Sequence, residues 1–170
     1  MKKSDIVRFT SIGGLLTAVA VLFQSAPVFL PAIGLALSPF STLPVAMAAA
    51  FHLSLGITVL ISSAGILIFV SLQETMIFLF ATGLLGIILG ALLHSKRVFV
   101  PILEAAIALT LGILILTYVA VIPSFADFAA SFPVPLIAVL FFAFSFVYAS
   151  IWLLCIRKFF KKLIQITKKL

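Results

Sequence analysis

The sequence predicts an all-α integral membrane protein, a bundle of six transmembrane helices with both termini in the cytoplasm. Three observations predict this class: a high share of apolar residues, a long uncharged stretch, and clustered basic residues. Of 170 residues, 65% are hydrophobic and 9% are charged, and the mean hydropathy is +1.44. Soluble domains are about half apolar and about a quarter charged. No Asp, Glu, Lys or Arg occurs from Phe9 to Gln73, and we expect residues 1–170 to form a single transmembrane domain.

The basic residues predict the orientation of the chain because they occur in three separate clusters. These are Lys2, Lys3 and Arg8 near the N-terminus, the pair Lys96 and Arg97, and the tail residues Arg157, Lys158, Lys161, Lys162, Lys168 and Lys169. Basic residues in short loops stay on the cytoplasmic side, so all three clusters are predicted to be cytoplasmic in a multi-pass protein of the cell (plasma) membrane. Topology and anionic lipid headgroups account for the net charge of +7, and no nucleic-acid partner is expected.

The number of crossings follows from helix length. Each crossing needs about 20 apolar residues, because a helix rises about 1.5 Å per residue across a core of about 30 Å. The predicted spans are residues 7–24, 35–50, 55–72, 76–93, 98–121 and 136–156. Four spans precede Lys96, because an even number must separate two cytoplasmic clusters, and two spans follow. Residues 157–170 are predicted to form a basic amphipathic helix on the inner headgroups.

The segment from Gln24 to Pro44 contains four prolines, which argue against one straight helix. Proline removes a backbone donor and pushes the preceding residue out of the helical region. Backbone that is not helical cannot face lipid. We therefore expect a proline-rich external loop after helix 1, a lid or a re-entrant connection. Together with a polar break at residues 73–75 and a loop over residues 123–135, it would border a cavity on the external side.

Glu74 is the most informative acidic residue. A carboxylate near apolar spans is a candidate functional residue by default, but Glu74 also stands at the predicted start of the fourth span, where the helix dipole favours an anion. Capping in headgroup water and contact with a ligand both stay open. Glu104 is expected to extend to the interface and pair with Lys96 or Arg97, and Asp127 is expected to be solvated.

Nothing in the sequence predicts a metal site or a catalytic set. His52 and His94 have no Asp, Glu or Cys at metal-ligand spacing. Cys155, the single cysteine, falls in an apolar run and is expected to be a buried, inert thiol. The chain contains no HExxH, no GxSxG and no Walker motif. We expect no metal, no cofactor and no enzymatic activity, and any transport that needs ATP would require another chain.

Small residues form two stripes at helical spacing. Gly14 and Ala18 lie four residues apart on the first span, and Thr82, Gly86 and Gly90 repeat the spacing on the fourth. Such stripes let helices approach closely in lipid. Packing inside the bundle and docking of another membrane subunit both stay open, for Gly14 and Ala18 in particular.

Six spans, about 170 residues, basic termini inside and a proline-bearing first external loop together resemble the substrate-binding S components of energy-coupling factor (ECF) transporters. RFTSIGGLLTAVAVLFQSAP and GLALSPFSTLPVAMAAA look like the first two spans of that family, and TGLLGIILGALLHSKR is similar to the end of the fourth. The resemblance implies external capture of a vitamin or similar micronutrient. It implies docking on a transmembrane T subunit through Gly14 and Ala18, with ATPase subunits as further partners. It also implies Glu74, Gln73 and Tyr118 as substrate contacts.

A weaker resemblance leads to a different function. The pattern GLLGxxxG followed by basic residues, over residues 83–97, looks like that of YybS-like membrane proteins. The fifth and sixth spans also carry few polar groups. The alternative hypothesis is therefore a membrane scaffold or assembly protein that binds other membrane proteins and no solute. An intramembrane enzyme is a third possibility, for which the sequence offers no paired catalytic residues.

Overall fold

The computed structural model describes the backbone of residues 3–167 and, within it, the side chains at positions 7, 9–122, 125–162 and 165. The regular structure of this part is entirely helical, which confirms the predicted all-α class. Its elements are α1 (Lys3–Phe29), α2 (Pro31–Leu37), a 3₁₀ turn (Ser38–Ser41), α3 (Thr42–Phe51), α4 (Leu53–Leu67), α5 (Leu72–Ile77), a π-helical segment (Phe78–Thr82), α6 (Gly83–Ala91), α7 (Phe99–Tyr118), α8 (Pro123–Ala130) and α9 (Val134–Thr167).

Several helical stretches are long and apolar enough to cross a membrane. Within the described residues there are five: Phe9–Phe29, Pro31–Phe51, Leu72–Ala91, Phe99–Tyr118 and Val134–Lys162. The chain is therefore a multi-pass helical membrane protein. With 15 residues, α4 rises only about 22 Å, which is short of a hydrocarbon core of about 30 Å. The sixth crossing stays a prediction that depends on α4.

The proline-rich loop predicted over residues 24–44 is helical apart from one break at Leu30. α1 continues through Pro27, Leu30 has φ −133° and ψ 77°, and α2 begins at the next residue. Pro31 stands at the start of α2, where its missing N–H has no helical partner to lose, and Pro39 has the equivalent place in the 3₁₀ turn. The second span is therefore continuous from Pro31 to Phe51, with the 3₁₀ turn within it.

Three other predicted boundaries also differ from the structure. The turn before α5 covers residues 68–71, so the polar residues 73–75 lie in the helix, and the predicted loop over residues 123–135 contains α8. The basic tail does not form a separate helix, because α9 is one helix of 34 residues. No glycine or proline occurs from Leu136 to Thr167, so no helix-breaking residue separates the apolar part of α9 from its basic end.

The helices form one packed bundle. α1 packs against α2, the 3₁₀ turn, α3 and α4; α3 packs closely against α6; and α7 packs between α6 and α9. One apolar cluster joins α3, α6, α7 and α9, and a second joins α1, α3, α4 and the start of the π-helical segment. A third joins α7, α8 and α9. The first half of the chain thus packs around α1 and α3, and α7 connects that half to α9.

The glycines of α6 explain its close contact with α3. A Cβ atom on Gly86 would lie 2.8 Å from the Thr42 carbonyl oxygen, and one on Gly90 would overlap the Ala46 carbonyl oxygen. Only glycine therefore permits this separation of the two helices. The stripe on the fourth predicted span is used for packing inside the bundle.

Candidate functional site

Gln24 is fully buried and joins three other segments through its side chain. Its Nε2 donates to Glu74 Oε2 at 2.8 Å. Its Oε1 accepts from Ser41 Oγ at 2.8 Å and from Thr82 Oγ1 at 2.9 Å. We call these four side chains the Gln24 network. The network connects α1 to the 3₁₀ turn, to α5 and to the π-helical segment. It gives partners to the oxygen and the nitrogen of the amide in an interior where an unpaired polar group is costly.

An irregular segment places the threonine of this network. Glu74 and Thr82 are eight residues apart, and in a straight α-helix they would point about 80° apart around the axis. The π-helical segment between Phe78 and Thr82 has a wider turn that holds more residues. The extra residue rotates Thr82 back towards the face that carries Glu74. Both side chains consequently bond Gln24.

Glu74 directs its carboxylate into the bundle. Ser71 is the N-cap of α5, and its Oγ accepts from the Glu74 backbone N–H at 3.4 Å. In a complete capping box the carboxylate would bond the Ser71 N–H in return. The Ser71 N–H instead donates to the Leu67 carbonyl oxygen at 2.8 Å, and the carboxylate accepts from Gln24. Glu74 thus has 7% of its surface exposed and lies in the first turn of α5.

An open cleft of about 300 Å³ adjoins Glu74. It lies where α1 ends, α2 begins and α5 begins. Its lining residues are Pro27, Val28, Pro31, Leu35, Ser71, Gln73 and Glu74. The exposed surface of this lining is more polar than apolar, because Ser71, Gln73 and Glu74 stand beside four apolar residues. The volume is at the lower end of the range of about 300–1,000 Å³ that is typical of small-molecule sites.

The structure brings together two of the three predicted substrate contacts. Glu74 and Gln73 both line the cleft, whereas Tyr118 stands at the end of α7, is 48% exposed and is not a lining residue. Gln24 is a residue of the site that was not predicted. Its signal was available, because Gln24 is a strongly polar residue inside an apolar run that spans most of α1.

The remaining candidate residues lie apart from the cleft. His52, His94, Glu104 and Asp127 are exposed, and the described residues contain no group of three or more His, Cys, Asp or Glu that could hold a metal ion. Cys155 is exposed, and the prediction of a buried thiol is therefore wrong. An apolar run in a membrane helix includes a lipid-facing side, and Cys155 lies on that side of α9.

The first span separates its small residues into an inner and an outer pair. Gly13 and Thr17 are buried, and a Cβ atom on Gly13 would lie 3.2 Å from Leu55 Cδ1 on α4. Gly14 and Ala18 are exposed, and no described atom outside the helix's own local backbone lies within 4 Å of a Cβ placed on Gly14. The bundle therefore uses the inner pair and leaves Gly14 and Ala18 facing outward.

No protein-family model, curated protein or solved structure matches this chain. The features that carry functional information are the Gln24 network, the cleft beside Glu74 and the outward face of α1.

Proposed function

We propose that this chain is a substrate-capture subunit, similar to the S components of ECF transporters, that binds a vitamin or another small micronutrient. One observation carries the proposal: Gln24 holds the buried Glu74 carboxylate beside an open cleft. An ionisable side chain inside a membrane bundle is costly and marks a functional site by default. The role of Glu74 is to bind a polar group of the solute, with Gln73 as a second polar contact at the rim.

The basic residues support an external position for the cleft. It lies at the C-terminal end of α1, whereas Lys2, Lys3 and Arg8 lie at or before its N-terminal end. It also lies at the start of α5, and Lys96 and Arg97 follow the end of α6. With these clusters in the cytoplasm, the cleft opens outward. This orientation requires α4 to be the sixth crossing, with local thinning of the bilayer around it.

The outward face of α1 supplies the docking surface for a T subunit. Gly14 and Ala18 have the spacing that lets two helices approach closely, and this bundle leaves both of them exposed. The partner ATPase subunits would provide the energy for release by shifting the bundle between its two exposures. In this proposal the chain itself carries no cofactor and catalyses no reaction.

Native mass spectrometry of the gently purified chain tests solute capture. We expect a bound small molecule at about one per chain that is lost in Glu74→Gln, because the amide removes the charge that holds it. Glu104→Gln is the matched control, since it removes an exposed carboxylate far from the cleft. Wild-type protein that carries no solute in any preparation would count against the proposal.

A second candidate function is a membrane scaffold that binds other membrane proteins and no solute, and the outward Gly14–Ala18 pair favours it equally. Gly14→Leu should abolish copurification of a partner under either hypothesis. Gly65→Leu is the control, because no described atom lies near a Cβ on Gly65 either, and this glycine is outside the stripe. Copurified T and ATPase subunits would identify a capture subunit, and other partners without a solute would identify a scaffold.

A further inference from the structure

We infer that the cleft binds a small solute with a cationic nitrogen, such as an ammonium or an amidinium group, carried on a compact apolar body. The inference rests on the proposed function and specifies its ligand. Two features point to this class. The side-chain partner of the Glu74 carboxylate is the neutral amide of Gln24, and the bonds of that amide direct its Nε2 group towards Glu74.

Among the side chains that the structure describes, no basic residue bonds the Glu74 carboxylate, whose side-chain partner is Gln24. The chain contains no lysine or arginine between Arg8 and Lys96, and His52 is exposed at the start of α4, whereas the cleft adjoins the other end of that helix. Gln24, the bonded partner, is a neutral donor. A buried carboxylate is stabilised chiefly by an opposite charge with good hydrogen bonding. The open side of Glu74 is the cleft, so a cationic ligand can supply that charge there.

The Gln24 network keeps the carboxylate oriented as an acceptor. Ser41 and Thr82 both donate to Gln24 Oε1, which directs the Nε2 group of the amide towards Glu74. An ionised carboxylate has about four acceptor positions, and this contact uses one of them. The matching ligand group is therefore a hydrogen-bond donor. A charged donor makes a shorter and stronger bond to a carboxylate than a neutral one does.

Size and wall chemistry restrict the rest of the ligand. The cleft of about 300 Å³ equals the volume of about ten liquid water molecules. Pro27, Val28 and Leu35 supply the apolar part of a lining that also includes polar side chains, which suits a compact aliphatic or aromatic body with a polar end. A phosphate or carboxylate group would meet the like charge of Glu74. The cleft should therefore select against anionic solutes of the same size.

Isothermal titration of the full chain in nanodiscs with benzylammonium, benzyl alcohol and benzoate tests the inference. These probes share a ring and differ in the charge of one polar group. We expect wild type to bind benzylammonium at least 10-fold more tightly than either of the others. Glu74→Gln should reduce this preference to less than threefold, because the amide keeps the size of the side chain without the charge. Glu104→Gln is the control and should keep the full preference.

The outcomes separate the ligand class from the proposed function. Equal binding of the three probes by wild type, an unchanged preference in Glu74→Gln, or no binding of benzylammonium would each overturn the cationic class. Mass spectrometry of the solute carried by the purified chain gives the independent result. A neutral or anionic solute would overturn the class and leave solute capture standing, whereas a chain without any solute would overturn solute capture itself.

Discussion

Replacing Gln24 by methionine tests whether the Gln24 network holds the bundle together. Methionine keeps the length of the side chain and removes both polar atoms. The substitution deletes three hydrogen bonds, to Ser41, Thr82 and Glu74, which connect α1 to three other segments. Around position 24, the helices of the first half of the bundle would then be held together by apolar packing alone.

The size of the effect follows from those three bonds. Hydrogen bonds between membrane helices contribute about 0.6 kcal/mol each on average and about 1.7 kcal/mol at most. Three of them give about 2 kcal/mol, with an upper limit near 5 kcal/mol. The Ser41 and Thr82 hydroxyls can bond carbonyl groups of their own preceding turns, which limits their share. Glu74 loses a donor and cannot recover one in this way, so its share should be the largest.

Equilibrium unfolding in mixed bicelles and micelles measures this difference. Gln73→Met is the matched control, because it makes the same chemical change at the neighbouring exposed residue of the cleft. We expect Gln24→Met to lower the free energy of unfolding by about 2 kcal/mol and the control to change it by less than about 0.5 kcal/mol. Equal effects of the two substitutions would refute the argument that the network ties the helices together.

Two further predictions concern packing and topology. Gly90→Leu should lower the free energy of unfolding by about 1–3 kcal/mol, because a Cβ at this position already overlaps the α3 backbone. Gly65→Leu is the control and should change the free energy of unfolding little, because no described atom lies within 4 Å of a Cβ there. The same unfolding assay compares the two variants, and equal effects would contradict the close packing of α6 on α3. In a Cys155→Ala background, His52→Cys and Phe69→Cys should react with an impermeant maleimide from opposite sides of the membrane. Labelling from the same side would show that α4 does not cross.

The class of the fold was predictable because it depends on composition alone. Apolar runs and basic clusters indicate membrane helices whatever their detailed geometry. The boundaries depend on how prolines are placed within helices, which composition does not determine. Pro31 at the start of α2 loses no helical bond, and Pro27 removes one bond near the end of α1 without ending the helix, so the predicted loop contracts to Leu30. The number of prolines in a segment indicates that a helix is disturbed there, but it does not determine how many residues leave the helix.

The candidate site was predictable to a smaller extent. Glu74 stands out in the sequence because its nearest charged neighbours are far away along the chain. Its partners do not stand out, since Ser41 and Thr82 reach Gln24 only after a 3₁₀ turn and a π-helical segment have rotated them. Period-3.6 reasoning assumes regular helices and places Thr82 on a different face from Glu74. Irregular backbone is therefore the reason that the network was missed.

The same irregular backbone offers an argument for the position of the site. Distorted helix at membrane depth is tolerated where it is buried in protein or lines a cavity, and π-helical turns occur frequently at functional sites. Here the break at Leu30, the 3₁₀ turn and the π-helical segment all lie on the helices that meet at the Gln24 network. α7, which packs against the π-helical segment, is regular throughout its 20 residues. Pro31 and Pro39 account for the break at Leu30 and for the 3₁₀ turn. The π-helical segment contains neither proline nor glycine, and it turns Thr82 towards Gln24, beside the one buried carboxylate among the described side chains. A site that holds Glu74 towards a cleft gives this distortion a role that helix packing alone does not.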